Sequence, residues 1–119
     1  MMEEKNDFRA TKFGKGFVKE DVLNYINELN LNIMSLEQKI KAELEKRTNS
    51  QQDVSMIQHQ MNDIQRRFDI ANPPNAKPMK LRTDFIGGGF VKNDVFNYLE
   101  ILNSKIGMLE EQLRIIDNA

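Results

Sequence analysis

Apolar residues recur along this chain at alternating spacings of three and four, in two separate runs. Ile26, Leu29, Ile33, Leu36 and Ile40 occupy positions a, d, a, d and a of a heptad. Leu99, Leu102, Ile106, Leu109, Leu113 and Ile116 follow the same frame further on. That spacing lays one narrow stripe down a helix, the seam of a coiled coil. The first run predicts a helix that begins just after Phe17. The second predicts a helix from about Lys92 to Ile116. Between them the frame continues unshifted, but its next seam positions are Glu43, Arg47 and Ser50, all polar. Apolar residues then return in phase at Val54, Ile57, Met61, Ile64 and Phe68.

Two readings of that polar gap stand. One is a continuous helix from about Lys19 to Ile70 with a weak centre. The other is a turn at Thr48-Asn49-Ser50, with Ser50 and Asp53 forming a capping pair for a new helix. The turn is preferred on geometry. A first helix of about 30 residues is about 45 Å long and a return helix of about 18 residues covers about 27 Å. A linker of about nine residues then spans about 30 Å, so the second run lands beside the first and points the same way. With a continuous helix the second run would need another chain to pair with. Asn72-Pro73-Pro74-Asn75-Ala76-Lys77-Pro78 holds every proline and predicts the semi-rigid linker. The organisation expected is a first unit at 1–47, a connecting or return helix at 48–71, a linker at 72–80 and a second unit at 81–119.

The two units are copies. Gly16-Phe17-Val18-Lys19-Glu20-Asp21-Val22-Leu23-Asn24-Tyr25 is echoed by Gly89-Phe90-Val91-Lys92-Asn93-Asp94-Val95-Phe96-Asn97-Tyr98. Upstream, Arg9 matches Arg82, and Phe8 and Phe13 match Leu81 and Ile86. A repeat of this length means that one supersecondary unit is used twice. In each copy the pattern predicts a lead-in segment, a glycine loop and a helix whose N-cap is Val18 or Val91. Phe17 and Val22 then form a hydrophobic staple, as do Phe90 and Val95. Asp21 falls at the third helical position, at the positive end of the helix dipole, where it can bond back for a valine that cannot cap. The fold class expected is all-α: a coiled-coil-like helical bundle with two repeated glycine-loop/long-helix units.

Composition narrows the functional classes. The 119 residues carry a net charge of −1, so the chain as a whole has no electrostatic reason to seek nucleic acid. There is no cysteine, which excludes disulfides and thiolate metal sites. His59 is the only histidine, so no metal site is expected. No catalytic set or cofactor motif is visible, and the chain reads as non-enzymatic. Gly87-Gly88-Gly89 lacks the Lys-Ser/Thr that follows a phosphate-binding loop. Lys77, Lys80 and Arg82 form a short basic cluster beside the linker.

The repeated unit resembles the N-terminal domain of the DivIVA/GpsB family of Gram-positive cell-division and polarity proteins. Lys15-Gly16-Phe17, then Asp21-Val22, Tyr25-Ile26 and Leu29 carry the resemblance, with Gly88-Gly89-Phe90 through Leu102 in the second copy. It covers about 35 residues of each copy and leaves 43 to 80 outside it. The resemblance implies a parallel pair whose loops cross at one end. It also implies a cytoplasmic scaffold, peripheral at the division septum or pole. Loops of such proteins touch membrane through an aromatic beside a cation, or a groove between loop and helix takes the cytosolic tails of cell-wall synthesis enzymes. On this chain the loop residues are Phe13, Lys15, Phe17, Ile86 and Phe90. The groove residues are Tyr25, Tyr98 and Glu100, and the seam is Ile26, Leu29, Ile33, Leu36, Leu99, Leu102, Ile106 and Leu109. The sequence departs from the family where the membrane-inserting aromatic would fall on Gly14 and Gly87, and where the groove acid is replaced by Leu23 and Phe96. No cofactor is expected. The partners expected are proteins of division or wall synthesis, a membrane surface, and the chain's own second unit or another copy.

Overall fold

Among the described residues three helices run: α1 Lys19–Asn49, α2 Ser55–Ala71 and α3 Lys92–Asp117. The computed structural model describes Phe8 and residues 16–73, 80–85 and 87–119. The class is all-α. The helix breaks at the polar gap: α1 ends at Asn49 and α2 begins at Ser55, with five residues between them. The expected capping pair does not form. The Ser50 hydroxyl donates back to the Lys46 carbonyl at 3.0 Å, closing α1. Asp53 alone serves α2, accepting from the Ser55 N–H at 2.9 Å and the Ser55 hydroxyl at 2.6 Å. Each polar side chain thus satisfies the helix end nearer to it, which is where the unpaired backbone groups are.

Both long helices begin alike. Val18 and Val91 are the N-caps, each with φ −61° and ψ 126°, and neither bonds through its side chain. Phe17, Val22, Phe90 and Val95 are all buried in one core. Asp94 does not bond back to its cap. Its two oxygens hold Arg82: Oδ2 takes the backbone N–H at 2.9 Å and Nε at 2.8 Å, and Oδ1 takes Nη2 at 3.0 Å. A guanidinium in fork geometry outcompetes a neutral N–H for a carboxylate.

The seam residues Ile26, Leu29, Ile33, Leu36 and Ile40 of α1 are buried, as are Leu99, Leu102, Ile106, Leu109 and Ile116 of α3. α1 packs against α3 along this line. Burying each such side chain contributes about 1.5–3 kcal/mol. α3 has a second apolar stripe. Met108 is buried, with Ile101 and Ile115 half-buried, at seven-residue spacing. Gln112, also buried, lies on the same stripe and donates to the Met61 carbonyl at 3.0 Å. That stripe receives α2 through Ile57, Met61 and Ile64. The equivalent positions of α1 are Glu28, Ser35 and Ala42, all exposed, so only α3 takes a third helix. No Cα of α1 comes within 8 Å of a Cα of α2. α3 is therefore the shared member, with α1 on one face and α2 on another.

Candidate functional site at the crossed loops

The glycine loops of the two repeats meet at the end where α1 and α3 start. Phe17 N–H donates to the Phe90 carbonyl at 2.9 Å, and Phe90 N–H returns the bond to Phe17 at 2.9 Å. These residues are equivalent in the two copies, so the crossing has the reciprocity of a local two-fold axis. The cations repeat it. Lys92 Nζ lies 5.1 Å from the Phe17 ring centroid, and Lys19 Nζ lies 5.4 Å from that of Phe90. Both distances are within cation–π range. Gly16 is required by closeness: a Cβ there would stand 2.7 Å from the Phe90 carbonyl oxygen.

An aromatic cluster fills the junction on the α1 side. Phe8 meets Phe17 edge-on at 5.2 Å and Tyr25 at 5.7 Å, and Phe17 meets Phe96 edge-on at 5.5 Å. These are favoured ring geometries. On the other side, residues 82–91 form a tight reversal. Val91 N–H donates to the Arg82 carbonyl at 2.9 Å and Asp84 N–H to the Gly89 carbonyl at 2.5 Å. Gly87 at φ 91° and Gly88 at φ 75° turn the chain. A side chain at Gly88 would meet nothing, so the backbone conformation is what asks for glycine there. Arg82 and Asp94 tie the reversal to the first turn of α3. The guanidinium holds the Asp94 carboxyl below the ordinary carboxylate value of 3.8, helped by the bond from the Arg82 N–H.

Phe85 stands at the tip of this reversal and is 98% exposed. Lys80 and Arg82 are exposed nearby in the chain, and Lys92 is half-exposed at the helix start. A large apolar side chain left almost wholly in water is the feature of this end that packing does not explain.

The residues singled out from sequence distribute unevenly. Phe17 and Phe90 are buried at 7% and 9% exposure, so they close the crossing and do not present themselves to a membrane or partner. The reason is the reciprocal bonding, which turns both rings inward onto α1 and α3. Phe13, Lys15 and Ile86 lie outside the described residues. Tyr25 and Tyr98 are half-buried, and Glu100 is exposed. Tyr98 flanks the seam, whereas Glu100 lies two residues on, about 200° round the helix. Tyr25 and Tyr98 hold the same heptad position on parallel helices and so border opposite sides of the pair.

Phe85 was not among the sequence candidates. Its counterpart in the first repeat is Lys12, so the comparison of copies that exposed the other residues conceals this one. Phe96, 45% exposed, was noted only as a departure from a family pattern. At the opposite end of the molecule an open groove of about 720 Å³ lies between α2 and α3, floored by Ile57 and Ile115 and rimmed by Asp53, Glu111 and Arg114. Among the described residues no three His, Cys, Asp or Glu side chains are grouped to hold a metal ion. No described helix is long and apolar enough to cross a membrane. Comparison of the chain with protein-family models, curated proteins and solved structures gives no match.

Proposed function

We propose that this chain is a non-enzymatic scaffold of bacterial cell division or polarity, which meets the membrane surface at its crossed-loop end and recruits protein partners there. The observation that carries the reading is Phe85, 98% exposed at the tip of a hydrogen-bonded reversal. Two buttresses hold that tip out. The Arg82–Asp94 pair fixes the base of the reversal, and the Phe17–Phe90 exchange fixes its far strand. An apolar tip with Lys80 exposed five residues before it in the chain suits an anionic bilayer: the ring enters the headgroup boundary and the cation stays among the phosphates.

Burial of one phenylalanine contributes about 1.5–3 kcal/mol. A single tip therefore binds weakly, and stable residence needs several tips acting together. The resemblance to the DivIVA/GpsB unit supports the division setting, since the loop, acidic first turn and seam occur twice in the same order. Co-sedimentation with vesicles tests the reading. The parent chain is expected in the pellet with anionic vesicles, less with neutral vesicles and less at high salt. Phe85→Ser is expected to stay in the supernatant. Parent protein left wholly in the supernatant under all conditions overturns the membrane reading and leaves a peptide adaptor or a purely structural module.

A further inference from the structure

We propose that two copies of this chain exchange α1, the turn between Asn49 and Ser55 opening into helix so that each copy's α1 docks on the other's α3. Four observations lead there. First, the heptad frame runs through the turn without a shift: Ile40, Glu43, Arg47, Ser50, Val54, Ile57, Met61, Ile64 and Phe68 are successive seam positions. Straightening the turn therefore leaves the seams of α1 and α2 on one face of one helix. A turn with no such destiny has no reason to keep the phase.

Second, straightening the turn itself breaks no seam between α1 and α2. α1 packs on α3 and α2 packs on α3, and no Cα of α1 approaches within 8 Å of α2. The α2–α3 hairpin can keep all its contacts while α1 leaves and an identical α1 arrives. Third, the turn is short and strained, yet helix-competent. Gln51 sits at φ 61°, the left-handed region that a non-glycine residue rarely adopts. The segment from Ser50 to Val54 has neither glycine nor proline. Short strained hinges favour exchange of elements between copies.

Fourth, the polar seam positions before the hinge are satisfied within α1 itself. Glu43 and Arg47 hold seam positions just before it and bond one another at 2.8 Å within α1. That pair is local to α1, so it is kept when α1 moves to another copy. The occupant of the vacated α3 face is thus a second copy, bearing the same seam that leaves.

The exchanged dimer is a rod. Each continuous helix, residues 19 to 71, is about 80 Å long at 1.5 Å per residue. The crossed-loop ends then stand at opposite ends of the rod, each built from the first repeat of one chain and the second repeat of the other. The inference stands apart from membrane binding, because mass and distance measure it with no lipid present.

The absence of cysteine makes the test clean. Cysteines placed at Glu28 and Asp69, both exposed, take spin labels. In the closed chain both labels lie within a cross-section of 24 × 21 Å. In the open chain about 41 residues of helix separate them by about 62 Å. Doubly labelled chain diluted into unlabelled chain reports the intrachain distance alone.

We expect the long distance to grow with total concentration, together with a species of twice the 13.9 kDa monomer mass. Gln51→Gly relieves the closed turn and penalises the open helix. It is expected to raise the dimer dissociation constant about 25-fold or more, as two hinges at about fivefold each. The triple variant Asn49→Ala, Gln51→Ala, Asp53→Ala favours helix and removes the α2 cap. It is expected to be mostly dimeric and to show the long distance. A short distance and monomer mass for both parent and triple variant overturn the proposal. So does a dimer that keeps only the short distance.

Discussion

At the scale of single residues, the crossed-loop end is held by a few groups that leave little room for substitution. Gly16 is the tightest. Any Cβ there meets the Phe90 carbonyl at 2.7 Å and the Gly89 carbonyl carbon at 3.0 Å, both backbone, so neither neighbour can rotate away. Gly16→Ala is expected to destabilise the fold by about 1–3 kcal/mol, as overpacking does. A lowered thermal midpoint would show it, with Gly88→Ala as the contrast, whose penalty comes from φ alone. The Arg82–Asp94 pair sets a pH dependence. Asp94 titrates below its ordinary 3.8 in the folded protein because Arg82 binds its ionised form. A depressed carboxyl contributes stability above its unfolded value, and that contribution is lost as pH falls through the folded value. The parent should therefore lose stability below about pH 4 more steeply than Asp94→Asn, which has already lost the ionic contact at neutral pH. Parallel pH–stability curves for the two would contradict this account. Phe17 and Phe90 carry two sequence readings, a staple onto Val22 and Val95 and a contact residue of the loop. Their burial with those valines fits the staple, and the backbone exchange between the copies adds a constraint the sequence does not show.

At the scale of elements, the long helices were legible because their seams keep one heptad frame. The valine N-caps, the start of α1 and the end of α3 all follow from it. The second stripe of α3 was not legible. Ile101, Met108 and Ile115 are seven apart, but Lys105 and Gln112 alternate with them, so the stripe reads as the half-polar flank of a seam. Its meaning depends on α2 lying over it, and on Gln112 reaching the Met61 carbonyl. The two stripes should differ in what they support. Leu102→Ala removes seam packing between α1 and α3 and is expected to lower global stability by about 2–5 kcal/mol. Ile64→Ala acts on the α2 contact. It should raise hydrogen exchange in α2 well before it raises exchange in the N-terminal halves of α1 and α3. Uniform loss of protection across all three helices in Ile64→Ala would show that α2 is no separable layer. The surface ion pairs Arg67–Glu111 at 3.2 Å and Lys105–Glu37 at 3.8 Å are exposed and contribute little beside these seams.

At the scale of the whole molecule, one chain provides what two copies of a single unit would otherwise supply. Both repeats start at the same end, side by side, and their loops close on each other through equivalent residues. The departures from symmetry are as informative. The first repeat offers α2 only Ser35 and the small Ala42 where α3 offers Met108 and Ile115, so the copies cannot trade roles. The exposed Phe85 also belongs to the second repeat alone. In the function proposed, the helical body positions the tip that would make the contact. The most direct measurement exploits the absence of tryptophan from the chain. Phe85→Trp places a single emitter at the tip. On titration with anionic vesicles its emission should move to shorter wavelength and become shielded from aqueous quencher, with the effect weakened by salt. An emission that stays at the wavelength of free tryptophan at saturating lipid, in a protein that remains folded, would contradict membrane contact by this end.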